Sequence, residues 1–415
     1  VALGVSPELS TTMIIPLSDE QAFKLALAEL NELLETSKRP VIILGSGASE
    51  ITGHEKFTSF YRRYQIPILV TWGATNFLPL REIQKIDTFG THGGRAGNLI
   101  LEASDLVLVF GSRLDTKATG WPPSRFASKA RKVLLDIDAA ELAKFERLGV
   151  KVEMLLNGRV ADFFKSVELD NKTLDFGRWL SRCLQAKERI DMFEKKARFG
   201  PGVNPYELMK KLDDLLPDEI NVFVDTGTSL PTLISSMSFS PKRRLFHDLN
   251  NTAMGWSIPA AIGGHLAEPE TVSLVVIGDG SLMMGVNDLT TLGKVNTSAK
   301  VLLISNNGHA MIRQTQDQWF DSEYVASEEG EGFHPMLWRS LAEASGFEFL
   351  EASNAHGVDK SVLDLINATD PTMLVVYIDK NWKVSPQTKF GKAVYEMDPK
   401  LPVTETQLIQ DLVNE

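Results

Sequence analysis

The chain has 415 residues, enough for two or three domains with a sizeable core. Its 43 Lys and Arg against 54 Asp and Glu give a net charge of −11, which argues against nucleic acid as a partner. The single cysteine, Cys183, excludes an internal disulfide framework and a thiolate metal site, and no apolar run nears the ~18 residues of a bilayer span, so a soluble cytoplasmic protein is expected.

Residues 1–18 lack sustained periodicity and read as a connecting segment. From 19 to 167, short β-branched apolar runs at 40–44, 66–70, 106–110 and 132–137 alternate with helical patterns, one of them marked by Phe57, Phe60, Tyr61 and Tyr64. This is the signature of a doubly wound α/β domain. Gly45-Ser46-Gly47-Ala48 follows the first run and admits a nucleotide-binding oxidoreductase, although the third glycine and the acidic partner of that fingerprint are not evident. His92 and Arg113 read as loop residues that hold two strand ends together. Residues 168–200 are charged and helical in pattern, with Trp179, Leu180 and Cys183 on one side, and read as a linker helix. A second α/β domain follows over 201–385, with strands expected at 220–224, 245–247, 271–277, 300–305 and 373–378. The last segment, 386–415, carries Pro386, Pro399 and Pro402 and reads as a tail that wraps the surface or closes over a site. The expected fold class is therefore α/β, with two doubly wound Rossmann-like domains built on parallel sheets.

The most informative stretch runs from Thr271 to Gln316. Two nearly continuous hydrophobic runs, TVSLVVI and KVLLIS, flank a segment in which Leu282, Val286, Leu289 and Leu292 recur at helical spacing, giving strand, helix, strand. A right-handed crossover brings both strand ends to one sheet edge, where open α/β sheets bind ligands. Asp279 sits at the first end between Gly278 and Gly280, which allow a sharp turn and a close backbone approach. A lone carboxylate there suits a hard cation such as Mg²⁺, completed by a side-chain amide, a main-chain carbonyl and substrate phosphates; Asn306, Asn307 and the Gly308 carbonyl are the candidates. The helix starting near Ser281 offers free N–H groups and a hydroxyl to the phosphates. GDGS taken alone also reads as an ordinary tight turn. At an earlier strand end, Gly227, Thr228 and Ser229 can bind a terminal phosphate or simply cap a helix.

Gly278-Asp279-Gly280-Ser281, the paired asparagines, and Met254-Gly255-Trp256-Ser257-Ile258-Pro259 resemble the cofactor half of thiamine-diphosphate enzymes, and most of all acetolactate synthase large subunits. The resemblance implies thiamine diphosphate and Mg²⁺ as cofactors. Met311-Ile312-Arg313-Gln314-Thr315-Gln316 is similar to the M-x-x-Q-W-Q of that subgroup, and a gap-free match to it makes Asn306, not Asn307, the metal-binding asparagine, beside Asp279 and the Gly308 carbonyl. It also implies that Met254 bends the cofactor, that the Thr252 carbonyl accepts from its 4′-amino group, and that Met284 and Met311 line the reacting face. Met254 also reads as simple core filler. Thr315 replaces the tryptophan that receives the second oxo acid, so the acceptor does not carry over; relatives with R-Q-T-Q here also resemble surface-sugar biosynthesis proteins.

The implied reaction is carboligation or decarboxylation of a 2-oxo acid. The activating glutamate belongs to an N-terminal pyrimidine-binding domain, expected in this family before the segment where the chain begins, so a companion domain or chain and a homo-oligomer, dimer or tetramer, are expected. Residues 90–93 and 103–115 resemble the central domain that holds FAD in some members, but Asp115-Thr116-Lys117 stands where those enzymes tend to have Asp-Asp-Arg, which weighs against FAD. The alternative reading is a non-catalytic cofactor-binding or regulatory component.

Overall fold

A computed structural model describes residues 12–167, 173–198 and 200–414. The chain forms two compact units: the first joins the residues up to Glu194 with those from Pro386 onward, and the second spans Lys195–Ser385. Each is an α/β body around its own parallel sheet, as expected.

In the first unit the strands are β1 (Ile14–Pro16), β2 (Pro40–Leu44), β3 (Ile68–Val70), β4 (Lys85–Thr88), β5 (Leu106–Phe110), β6 (Arg131–Asp136) and β7 (Met154–Asn157). They pair in parallel in the order β1-β7-β6-β5-β2-β3-β4. The central runs PVIIL and LVLVF are buried throughout, which is why they carry no polar alternation. Three of these strands were not anticipated. β1 lies in what reads as a connecting segment, of which residues 1–11 are outside the described residues, and β4 and β7 have only four residues each.

Helix Gly177–Ala197, expected as a linker, buries Trp179, Leu180, Cys183, Ala186 and Ile190 in the first core, so it is a structural part of that unit; 168–172 and residue 199 of the expected linker lie outside the described residues. The C-terminal segment also belongs to this unit. Gln387–Thr388 pairs with Met397–Asp398, the Thr388 N–H donates to the Thr91 carbonyl, and Ile409 joins the core. Its prolines and charges suggest a tail that wraps the surface or closes over a site; Thr388, Met397 and Ile409 are buried within the first unit.

The second unit contains β8 (Ile220–Val224), β9 (Arg243–Phe246), β10 (Ser273–Gly278), β11 (Lys300–Ser305), β12 (Glu348–Ala352) and β13 (Thr372–Tyr377), all parallel in the order β12-β13-β11-β10-β8-β9. β12, with the polar sequence EFLEA at the sheet edge, was not expected, and β9 begins two residues before the run at 245–247 because Arg243 pairs with Ile220 there. Strand order reverses about β8, so the C-terminal ends of β8, β10 and β11 lie side by side at the switch point. Between β10 and β11, helix Asp279–Val295 buries Leu282, Leu289 and Leu292 against the sheet, with Val286 half-buried. Among the described residues no helix is long and apolar enough to cross a membrane.

Candidate functional site

Asp279 follows directly on Gly278, the last residue of β10, and is 1% exposed. Its Oδ2 accepts from the Ser305 hydroxyl at 3.1 Å and from the backbone N–H groups of Asn306 at 2.9 Å and Gly308 at 3.3 Å; Oδ1 accepts from the Gly280 N–H at 2.9 Å. The end of β11 is thus wrapped around a carboxylate from the end of β10. Burial pushes this carboxyl upward, and the four donors oppose that. Oδ2 is saturated, whereas Oδ1 has one protein partner and can accept a cation. The helix beginning at Asp279 has no side-chain cap, so first-turn N–H groups face the sheet edge.

The two asparagines part here. Asn306 is buried, while Asn307 is exposed, left-handed at φ 52°, and donates from Nδ2 to Glu329 at 3.1 Å. Gly280 lies under His309, whose ring would stand 2.3 Å from a Cβ added there and would have to shift. Gly308 is likewise hemmed in by the Arg313 guanidinium and the Ser327 carbonyl.

Arg313 and His309 are the residues that sequence reasoning missed. Arg313 is 5% exposed; Nη2 donates to the Asn306 Oδ1 at 3.0 Å and to the Lys380 carbonyl at 3.1 Å, and Nη1 donates to the Ser327 carbonyl at 3.1 Å. Burial lowers its pKa and the Asp279 charge raises it, but a guanidinium stays protonated throughout. The neighbouring Gln314 exchanges two bonds with the backbone of Val384. In the sequence Arg313 stands only as one member of Met311-Ile312-Arg313-Gln314, with nothing in the local pattern to mark it as buried.

At the end of β8, Asp225 is fully buried and accepts from the N–H groups of Thr226 and Gly255 at 3.1 Å and from the N–H and hydroxyl of Ser257 at 2.9 Å. It ties β8 to the turn carrying Met254. Gly255, at φ 80°, lies so close to helix Asp279–Val295 that a Cβ would meet the Gly285 nitrogen at 2.6 Å. That contact brings the backbone of the turn carrying half-buried Met254 against the helix backbone at Met284, whose side chain is 63% exposed. Thr252 is left-handed at φ 53°, a strained state for a β-branched residue, and is held there by its N–H bond to the Asp248 carbonyl at 2.9 Å.

Gly227, at φ 93°, has nothing within 4 Å of a built Cβ, and a Cβ on Gly278 would stand 3.9 Å from the Ser229 hydroxyl. Thr228 precedes the short helix Ser229–Ile234, and Ser229 and Ser281 are buried. These glycines leave bare backbone on the same edge as Asp279. Met311 and Thr315 lie on helix Ala310–Trp319, where the exposed Thr315 hydroxyl donates back to the Met311 carbonyl at 3.0 Å. No hydrogen bond joins that pair to Asp279 among the described residues.

In the first unit the glycine turn after β2 is consumed by packing. The Gly45 and Gly47 N–H groups donate to the carbonyls of Phe110 and Gly111, and a Cβ on Gly45 would lie 2.3 Å from the Gly111 oxygen. Those N–H groups are therefore turned inward, which removes the cradle a dinucleotide would need. His92 packs against Trp72 with ring centroids 6.3 Å apart and is pushed toward its neutral form by burial, while Arg113 pairs with Asp115 at 3.7 Å.

Residues 27–165 match the model of the thiamine pyrophosphate enzyme central domain, and residues 225–376 match that of the C-terminal TPP-binding domain. The chain belongs to the thiamine pyrophosphate enzymes. It is similar to acetolactate synthase large subunits: that of Lactococcus lactis subsp. lactis (strain IL1403) is 28% identical over 91% of this chain and 64% of the relative. The isozyme 1 large subunit of Escherichia coli (strain K12) is 26% identical over 95% of this chain and 67% of its own length, and the chloroplastic enzyme of Arabidopsis thaliana 27% identical over 88% and 55%. The chain spans about two thirds or less of these curated relatives. Within the thiamine pyrophosphate enzyme fold, the cluster around Asp279 falls in the matched TPP-binding domain.

Proposed function

We propose that this chain carries the cofactor-anchoring part of a thiamine-diphosphate- and Mg²⁺-dependent enzyme of the acetolactate synthase type, a carboligase or decarboxylase acting on a 2-oxo acid. The observation that carries the reading is the Asp279 carboxylate gripped by the end of β11, which gathers Asn306 and Gly308 beside it. The donor set fits. One carboxylate, one amide oxygen and one carbonyl are hard oxygen ligands, and Mg²⁺ takes the rest of its octahedron from phosphate and water. No group of three or more His, Cys, Asp or Glu suited to a metal exists among the described residues, so a metal at Asp279 would depend on the diphosphate.

Thiamine diphosphate supplies a nucleophilic carbon toward a 2-oxo carbonyl and a sink for the electrons left by CO₂ loss. The chain's own residues anchor it. Asp279, Asn306 and the Gly308 carbonyl hold the metal; first-turn N–H groups, Ser281 and the loop of Gly227, Thr228 and Ser229 receive phosphate oxygens, with Gly278 and Gly280 permitting close approach. Met254, in the turn that meets the helix at Gly285, and Met284 on that helix would offer apolar surface, and the Thr252 carbonyl of the same turn would accept from the cofactor's 4′-amino group. Thr315, with Met311, replaces a flat indole by a small hydroxyl side chain, which points to an acceptor other than that of the acetolactate synthases.

The test is CO₂ release from a panel of 2-oxo acids, with thiamine diphosphate, Mg²⁺ and an acetolactate-synthase-type pyrimidine-binding domain supplied. Metal-dependent turnover of at least one acid is expected. Normal cofactor binding with no release from any acid would favour the non-catalytic, regulatory reading.

A further inference from the structure

Arg313 is a buried cation with no ion pair among the described residues. Its three bonds go to neutral oxygens on three separate segments: the end of β11, the loop at Ser327 and the chain after β13. Burying a charge without a countercharge is costly unless a charge of opposite sign lies nearby. Here the connection runs through Asn306, which donates its N–H to Asp279 and accepts from Arg313 at its Oδ1. A guanidinium has donors only, so the amide oxygen must be the atom that faces it, and this decides which way the Asn306 side chain points. The neighbouring Glu328 is engaged by Lys380 at 3.2 Å, and the buried Asp225 at the end of β8 is taken up by the N–H groups of Thr226, Gly255 and Ser257 and by the Ser257 hydroxyl, which leaves Arg313 as the buried cation that offsets Asp279.

We propose that Arg313 is a positioning residue that holds the Asn306 amide in place and offsets Asp279, so that a divalent ion enters only together with a diphosphate. The proposal rests on the metal and diphosphate reading above. A bare divalent ion meets a carboxylate already offset by a buried cation and an amide oxygen that already serves that cation. An ion carrying diphosphate charge meets a cation that favours it.

Retention of Mn²⁺ by the protein on ultrafiltration tests this without any assay of activity. With Mn²⁺ alone the parent chain retains little; with Mn²⁺ and thiamine diphosphate together it retains about one ion per chain. Arg313→Met is expected to bind Mn²⁺ alone at least about tenfold more tightly than the parent and to lose most of the diphosphate dependence. Arg313→Lys keeps the charge but not the planar three-way clasp, and keeps that dependence. If Arg313→Met fails to fold, as judged by circular dichroism, the lysine variant decides: dependence retained supports the proposal, dependence lost overturns it. Equal retention by the parent with and without diphosphate overturns the role of Arg313 and leaves the metal site standing. No retention under either condition overturns the metal site itself.

Discussion

Asn306 and Asn307 differ by one position and face opposite ways, the first buried between Asp279 and Arg313, the second exposed toward Glu329. If Asn306 ligates the metal, Asn306→Ala weakens metal-dependent thiamine diphosphate binding by at least about tenfold, ~1.4 kcal/mol, while Asn307→Ala changes it by less than about twofold. Calorimetry on both variants checks the order, and a larger effect at Asn307 would reverse the assignment. A second residue acts on stability. Lys132, near the start of β6, is 2% exposed, its ammonium donates to the Ala130 carbonyl, and burial lowers its pKa from 10.5 to about 8. Between about pH 8 and 10.5 the unfolded chain holds a proton that the folded chain has released, so stability from this group rises with pH across that window. Below about pH 8 both states are charged and the whole burial penalty, on the order of 3 kcal/mol, is present. Lys132→Met should therefore be more stable to urea than the parent at pH 7, with the gap closing toward pH 10; a gap that does not narrow would mean that the lysine is solvated.

At the scale of elements, helix Asp279–Val295 meets the Met254 turn through two glycine backbones. A Cβ on Gly285 would lie 2.7 Å from the Gly255 carbonyl oxygen, and neither partner is a flexible side-chain end that can swing away. Gly285→Ala should cost about 1–3 kcal/mol in urea unfolding and weaken cofactor binding by moving Met254. Gly263→Ala, inside helix Ser257–Ala267 with open space about its Cβ, is the control and should be neutral or stabilising by up to about 1 kcal/mol. Unchanged stability in Gly285→Ala would show that the turn yields. The stripe Leu282, Leu289 and Leu292 made this helix readable in the sequence, as the fully buried runs made β2, β5, β8 and β11 readable. β1, β4 and β12 were not, because short runs at a sheet edge carry no distinctive period, and neither was β7, whose four residues MLLN are too few to show one. The lone carboxylate of Asp279 was legible as a site because glycines flank it. Arg313 was not, since its meaning lies in three acceptors brought from distant segments that no local pattern foretells.

For the molecule as a whole, the two matched domains supply a central α/β body and an anchor for the diphosphate end of the cofactor. Activation at the other end needs a carboxylate within about 3 Å of the proton it exchanges. The resemblance assigns that glutamate to a pyrimidine-binding domain outside both matches, so we expect the 415-residue chain alone to release no CO₂ from pyruvate and to do so once that domain is added in trans. Steady turnover without the addition would mean that an acid within this chain activates the cofactor. The central claim, that Asp279 anchors a metal-bound diphosphate, is tested most directly by calorimetric titration of thiamine diphosphate in the presence of Mg²⁺ into the parent chain and into Asp279→Ala. The account predicts Mg²⁺-dependent binding by the parent and none measurable by the variant; equal affinity in the two would contradict it.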